Sequence, residues 1–279
     1  MRDRRRTVNK AVLLTHGRAE QVADGVERVT AICADLGVEL VIEPEEAAKH
    51  GREPHGESAG ADVAVVLGGD GTMLRALNRF LGADVPVLGV NFGRVGFLCT
   101  ISRDQLEPGL RRAFGGELQA VELATLAVRV NGASHVAVND AVVTSATLGR
   151  MIELEWAAGG EDLGRIPCDG LICSTPSGST AYNLSNGGPV LMWGIEAMAT
   201  TFVAPHSLHA RPLVISRGCE LTVWNRTADV PATVLVDGHA VGEVGADEQV
   251  IVTLGKEFSL LGTLPESTFV SRYRRVFAT

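Results

Sequence analysis

A chain of 279 residues exceeds the usual single domain, and its 46% hydrophobic and 21% charged residues are ordinary globular chemistry, so two domains are expected. The formal charge of −8 argues against a nucleic-acid surface, which is led by clustered Lys and Arg, but leaves a small phosphorylated ligand open. The basic start Met1–Arg6 precedes only a short apolar run, Ala11–Leu14, and no other stretch is long enough to span a bilayer; neither signal peptide nor membrane anchor is expected.

In chain order, Ala11–Thr15 reads as a strand and about Ala19–Leu36 as a helix, with Val22, Val26, Val29 and Ile32 on one face and Gly37 as its stop. Val38–Ile42 is a second strand. The polar segment Glu43–Gly60, with Pro44 and Pro54, reads as a mobile loop. Val63–Leu67 has the continuous apolar character of a buried parallel strand, Met73–Leu81 is helical, and Val85–Val90 is a further strand. This alternation is the pattern of an open, Rossmann-like α/β sheet with ligands at the carboxyl ends of its strands. Near Glu117 the texture changes to short β-rich runs: Val121–Val130, His135–Thr144, Met151–Ala157, Glu220–Trp224, Ala232–Val236 and Gln249–Leu254. These predict an all-β, sandwich-like second domain. Its long polar interruption, Cys173–Arg211, is either functional or contains short helices. The expected division is an α/β domain over 1–116, a β-rich domain over 117–265 and a tail, 266–279, returning to the first. Five scattered cysteines read as reduced, half-buried thiols of a cytoplasmic protein.

Two blocks carry chemistry. In Leu67-Gly-Gly-Asp-Gly-Thr72, the glycines Gly68, Gly69 and Gly71 follow a strand and precede a helix, so amide N–H groups and a helix N-terminus can cradle phosphate. It is neither the Walker A pattern nor the six-residue dinucleotide fingerprint. Asp70 is unexpected in an anion cradle: it either caps the helix or has work such as orienting a hydroxyl nucleophile or holding Mg²⁺. Arg75 either reaches a phosphate or is solvated. Asn91–Leu98 follows the next strand and so lies on the same sheet edge. The second block, Cys168–Pro189, holds hydroxyls, amides, glycines and Tyr182 but no Lys, Arg or His, which suits a ribose and a base better than acid–base chemistry. Ser179, Thr180 and Ser185 are its small polar groups.

Weaker signals read mainly as structure. His206 and His209 lack a completing zinc ligand, His239 in Val236-Asp-Gly-His239 is a hairpin-turn residue able to touch a ligand, and Asn139-Asp140 is either a turn or a ligand site. The tail Ser271-Arg-Tyr-Arg-Arg275 reads as a solvated charged face.

Together, Gly-Gly-Asp-Gly-Thr72, Asn139-Asp140, Asp169-Gly170 and Ser174-Thr-Pro-Ser-Gly-Ser-Thr-Ala-Tyr182, with Asn91–Leu98 and Pro205–Leu213, resemble the NAD kinases over most of residues 10–275. The resemblance implies an α/β domain followed by a β-sandwich-like domain, a site in the cleft between them, and a homodimer or homotetramer. It implies that ATP, or another phosphoryl donor carrying Mg²⁺ or another divalent cation, phosphorylates the adenosine 2′-hydroxyl of NAD. Asp70 would accept that hydroxyl's proton, with Gly71 and Arg75 beside the dinucleotide's phosphates and Gly68, Gly69, Gly71 and Thr72 as the phosphate loop. Asn139, Asp140 and Asp169 match nucleotide-binding positions; Thr180, Ala181, Tyr182, Asn183, Leu184 and Ser185 would line the adenine pocket. Arg150 and His239 match further ligand positions. Ser177 stands where Thr is usual. Pro167 stands where similar enzymes carry Gly or Arg and where acceptance of NADH is tuned, which leaves NAD against NADH open. Phe92, Phe97 and Tyr182 are candidates to flank a ring.

Overall fold

The computed structural model describes residues 7–94 and 96–278; the basic start Met1–Arg6, Val95 of the Asn91–Leu98 block, and Thr279 lie outside the described residues. The chain forms two compact units, one from Met1–Glu122 with Ser259–Thr279 and one from Leu123–Phe258.

In the first unit, β1 (Lys10–Thr15), β2 (Glu39–Val41), β3 (Val63–Gly68) and β4 (Val87–Asn91) form a parallel sheet in the order β2-β1-β3-β4. β3 is buried along its whole length, as a strand covered on both faces must be. The carboxyl half of β4 takes β5 (Ile101–Ser102) as a parallel neighbour, and its amino half pairs with Leu261 and Gly262 of the long strand Gln249–Thr263. Helix α1 (Ala23–Leu36) buries Val26, Val29 and Ile32 on one stripe, and Gly37, at φ 68°, ends it in the left-handed conformation. The apolar core joins this stripe to Leu13, Val65, Leu67, Leu88 and Val90 of the sheet and to Leu106 and Leu110 of α4 (Leu106–Arg112).

Two expectations are corrected here. Glu43–Gly60 is not all loop, since Pro44–Lys49 forms helix α2. Proline at its first position, Glu45 and Glu46 in its first turn and Lys49 in its last are favourable helix chemistry. The buried Glu46 then accepts hydrogen bonds from the Thr15 amide at 3.1 Å and its hydroxyl at 2.7 Å, tying α2 to the end of β1. The helix after β3 begins at Asp70, not Met73: α3 spans Asp70–Arg79, with Gly69 extended as its cap.

The second unit is a sandwich of antiparallel sheets. One sheet holds β6 (Gln119–Val130), β7 (Ala133–Ala137), β9 (Ile152–Ala158), β10 (Glu161–Cys168), β14 (Leu221–Asn225) and β17, the strand Gln249–Thr263. The other runs β13-β12-β11-β8-β15-β16, comprising β8 (Asp140–Ser145), β11 (Gly170–Ser174), β12 (Ala197–Val203), β13 (Leu213–Ser216), β15 (Ala232–Val236) and β16 (His239–Val244). Their alternating inward residues share one core, with Leu126, Leu154, Trp156 and Val223 from the first sheet and Val143, Leu171, Met198, Phe202 and Val234 from the second. Strands β10, β11, β12, β13 and β16 are absent from the sequence reading. The interruption Cys173–Arg211 holds β12 besides two helical turns, Gly178–Thr180 and Tyr182–Ser185. His135–Thr144 is two strands rather than one: the amides of Val138, Asn139 and Asp140 bond to the Asp237 carboxylate.

Leu88 is fully buried in β4, and Leu88→Ala should destabilise the first unit by about 2–5 kcal/mol through lost burial and the cavity left behind. Urea unfolding checks this; a change below about 1 kcal/mol would mean the site collapses freely.

Candidate active site

The first unit's sheet reverses direction between β1 and β3, because the chain passes from β1 outward to β2 and from β3 outward to β4. Ligands of open α/β sheets bind at the carboxyl ends of strands at such a point. A cavity of about 450 Å³ lies there, lined by His16, Arg18 and Gln21 after β1, by Gly68, Gly69, Gly71, Thr72 and Arg75, and by Phe92 and Gly93. The lining carries two arginines and no acidic residue, and at the start of α3 the amides of Thr72 and Met73 turn back to the Gly69 carbonyl while those of Asp70 and Gly71 precede the first intrahelical bond. An anion is the ligand this suits.

The three glycines have different tasks. A Cβ on Gly68 would lie 2.5 Å from the Thr72 hydroxyl, so this glycine lets α3 pack on β3; Gly69 and Gly71 would meet nothing within 4 Å and leave the approach to the backbone open. Asp70 is not a helix cap of its own turn. Its carboxylate accepts the Phe97 amide at 2.6 Å and the Leu98 amide at 3.0 Å, one on each oxygen. Gly96 is pressed against it, since a Cβ there would fall 2.3 Å from Asp70 Oδ1. One hydrogen bond per oxygen fixes the orientation of the carboxylate and leaves acceptor capacity for a hydroxyl. Arg75 is exposed on the cavity rim, its guanidinium 3.4 Å from the Thr15 carbonyl. Asn91 stabilises its own turn through Gly93 and Arg94. Of the three rings considered, Phe92 lines the cavity, Tyr182 is exposed, and Phe97 is buried against Phe269 and Phe277 at 5.1 and 6.1 Å between centroids.

In the second unit, register brings the start of β8, the end of β11 and the β15–β16 turn to one sheet edge: Asp140 pairs Ser174, and Ala141 pairs Val236. The turn Asp237-Gly238, at φ 48° and 81°, is a two-residue hairpin connection. Asp237 accepts the amides of Val138, Asn139 and Asp140 at 2.8, 2.7 and 3.1 Å. That carboxylate is absent from the sequence reading; an Asp-Gly hairpin turn facing an Asn-Asp pair was the only available signal. Thr175, whose hydroxyl bonds to the Val138 carbonyl at 2.7 Å, carries the next turn, and Gly178 is obligatory because a Cβ would sit 2.0 Å from the Asn139 carbonyl oxygen. Three buried side-chain oxygens in this turn system, Asn139 Oδ1, Ser174 Oγ and Ser177 Oγ, have no hydrogen-bond partner.

Much of the polarity of residues 175–185 serves the scaffold. Ser179 bonds to Pro176 and Leu191; the fully buried Asn183 donates to the Ser179 and Pro189 carbonyls, both at 3.0 Å, and accepts from Thr201 at 2.7 Å. Thr180, Ala181 and Leu184 are partly buried, while Tyr182, Ser185 and His239 are exposed. Arg150 and Asp169 are not on this edge. The Asp169 carbonyl bonds to Ser145, and Arg150, exposed and paired with Asp229 at 2.8 Å, follows that end of β8, roughly 15 Å from Asp140 at the rise of a strand. His206 and His209 are exposed, and no three His, Cys, Asp or Glu side chains cluster as a metal requires among the described residues.

Burial, and after it the Asp237 carboxylate, raises the Asp140 pKa from 3.8 to about 7. An acid more easily protonated in the fold stabilises it fully below its unfolded pKa and loses that contribution as pH rises through about 7. Asp140→Asn, which keeps the size and drops the charge, should therefore be more stable than the parent at pH 8, on the order of 2 kcal/mol, with the gap closing toward pH 4. Thermal melts across that range read it; a gap that does not change with pH contradicts the assignment.

The description of the ATP-NAD kinase N-terminal domain matches residues 19–118 and that of the ATP-NAD kinase C-terminal domain matches residues 138–261. The NAD kinase of Geobacter sulfurreducens is 39% identical over 197 residues, 69% of this chain and 69% of its own length. A crystal structure of an NAD kinase from Archaeoglobus fulgidus in complex with ATP matches with TM-score 0.74 at 25% identity, covering 96% of this chain and 97% of that one. Yeast NADH kinase complexed with NADH shares the fold, with TM-score 0.84 at 21% identity over 98% of this chain and 88% of its own.

Proposed function

The chain belongs to the NAD kinase family and phosphorylates NAD to NADP with ATP, and we propose that Asp70 is the group that accepts the proton of the adenosine 2′-hydroxyl. The observation that carries this role is the Asp70 carboxylate itself, held by two amides at the start of a helix whose first turn lines a basic cavity. A phosphoryl group in flight needs positioning and charge neutralisation more than covalent help. Gly69, Gly71, Thr72 and Arg75 supply amides, a hydroxyl and a cation to phosphates, while Gly68 packs the loop. Mg²⁺ or another divalent cation would come with the donor and would neutralise charge on its phosphates.

In the second unit, Asn139 and Asp140 bind the nucleotide, and Thr180, Ala181, Tyr182, Leu184 and Ser185 line the adenine, with Asn183 shaping that turn from behind. His239 reaches the same ligand from the hairpin turn. Arg150 and Asp169 stand at the far end of β8 and β11. A second copy that brings them to the ligand Asp140 meets is the arrangement of this reading, in a homodimer or homotetramer. No helix among the described residues is long and apolar enough to cross a membrane; the cytoplasm, where the reduced thiols also fit, is the compartment of this reading, with NAD and the nucleotide donor as its partners.

Asp70→Asn keeps the two amide acceptors in part and removes the base. Its kcat for NADP formation should fall about 10²- to 10⁴-fold with the Kd for NAD within a few fold. Calorimetry beside a coupled NADP assay separates the two; undiminished turnover would remove Asp70 from the chemistry. A parallel reaction with NADH shows what Pro167 permits.

A further inference from the structure

The C-terminal helix Phe269–Phe277 carries a run of arginines, and one of them is not on a solvated face. Arg272 is 1% exposed, the largest fully buried side chain among the described residues. Its Nη1 donates to three successive carbonyls, Phe97 at 2.8 Å, Leu98 at 2.8 Å and Cys99 at 3.0 Å, and its Nη2 donates to the Thr100 hydroxyl at 2.7 Å. These carbonyls belong to the turn whose amides hold Asp70. The peptide group joining Phe97 and Leu98 has its N–H on Asp70 Oδ1 at 3.0 Å and its C=O on Arg272. The preceding peptide group has its N–H on Asp70 Oδ2 at 2.6 Å and its C=O on Arg275 Nη2 at 3.2 Å. Two peptide dipoles therefore lie side by side, each with its N–H on one carboxylate and its C=O on a guanidinium, an arrangement in which the bonds at the two ends of each peptide polarise one another.

We propose that Arg272 is a positioning residue for phosphoryl transfer, fixing through the 96–99 turn the two amides that orient the Asp70 carboxylate. The proposal rests on the reading of Asp70 as the proton acceptor. A buried charge is a poor device for stability alone, since an apolar side chain of similar volume often serves as well or better. An apolar side chain cannot hold three consecutive carbonyls. The planar, forked guanidinium holds them through Nη1 while Nη2 holds the Thr100 hydroxyl, and lysine, a single point of donation on a flexible stem, can satisfy that set only in part. Burial lowers the Arg272 pKa to about 10, with the Asp70 charge among the influences opposing that change, so the side chain stays cationic at neutral pH.

The test is steady-state kinetics of the full-length enzyme with NAD and ATP for Arg272→Gln and Arg272→Lys, with folding read by circular dichroism and thermal melting. Arg274→Gln, on the same helix but exposed, serves as the control. Folded Arg272→Gln should lose about ten- to a hundredfold in kcat with both KM values within about threefold, because a displaced base slows chemistry without weakening binding. Arg272→Lys should lie between it and the parent, and Arg274→Gln should match the parent. In an Asp70→Asn background the same substitution should cost little more, since the two residues act as one unit. Parental kcat in the folded variants, a loss confined to KM, an equal loss in the Asp70→Asn background, or failure of both variants to fold would each overturn the proposal. Asp70→Asn retaining turnover would instead overturn the reading of Asp70, so the two failures are distinguishable.

Discussion

Asp70 puts a carboxylate in a glycine-rich turn that otherwise suits anions, and its placement depends on two main-chain amides. The amides of Phe97 and Leu98 take one oxygen each, at charge-assisted strength, which sets the plane of the carboxylate before any ligand arrives. The bonds depend on a glycine at 96, because any Cβ there would occupy the position of the carboxylate. They depend as well on Gly68, which lets the first turn of α3 close on the end of β3. The sheet supplies the rest: with β1 and β3 adjacent and their chains leaving to opposite sides, the loops that follow them part and leave room for an anion.

The second unit uses the same interaction with the roles reversed. There a carboxylate, Asp237, is the scaffold, and the three amides it accepts belong to Val138 and the Asn139-Asp140 turn. The backbone of that turn leaves the sheet ladder without losing hydrogen bonds, which a buried backbone requires. The cost falls on Asp140, whose own carboxyl is desolvated beside Asp237. Thr175, Ser179 and Asn183 complete the support by bonding to the carbonyls of Val138, Pro176 and Ser179 respectively, leaving Asn139 Oδ1, Ser174 Oγ and Ser177 Oγ as the unanswered side-chain oxygens of these turns. Polar density marked the segment, and the buried, bonded residues build it.

What was legible in the sequence was local. The apolar runs gave β1, β3 and β4, the periodic valines gave α1, and the glycines around Asp70 gave a cradle at a strand end. Helix α2 was hidden by reading Pro44 as a loop signal when proline is equally at home in a helix's first turn. The strands on either side of residues 175–189 were hidden by small and polar residues that pack because their partners do. Arg272 was illegible for a different reason: it stands in a basic tail, and the carbonyls that bury it are more than 170 residues earlier in the chain. Asp237 and Asp140 are likewise brought together by register between β15 and β8, not by spacing. The division of the site's glycines into those that pack and those that open the backbone can be read only when the atoms facing each missing Cβ are known.

Transfer to one hydroxyl of a dinucleotide is distinguished from every alternative by the identity of its product. Purified protein incubated with ATP, Mg²⁺ and NAD, with the product resolved by phosphorus and proton NMR, should give NADP carrying its new phosphate on the 2′-oxygen of the adenosine ribose. No phosphorylated dinucleotide, or phosphate on another oxygen, would contradict it.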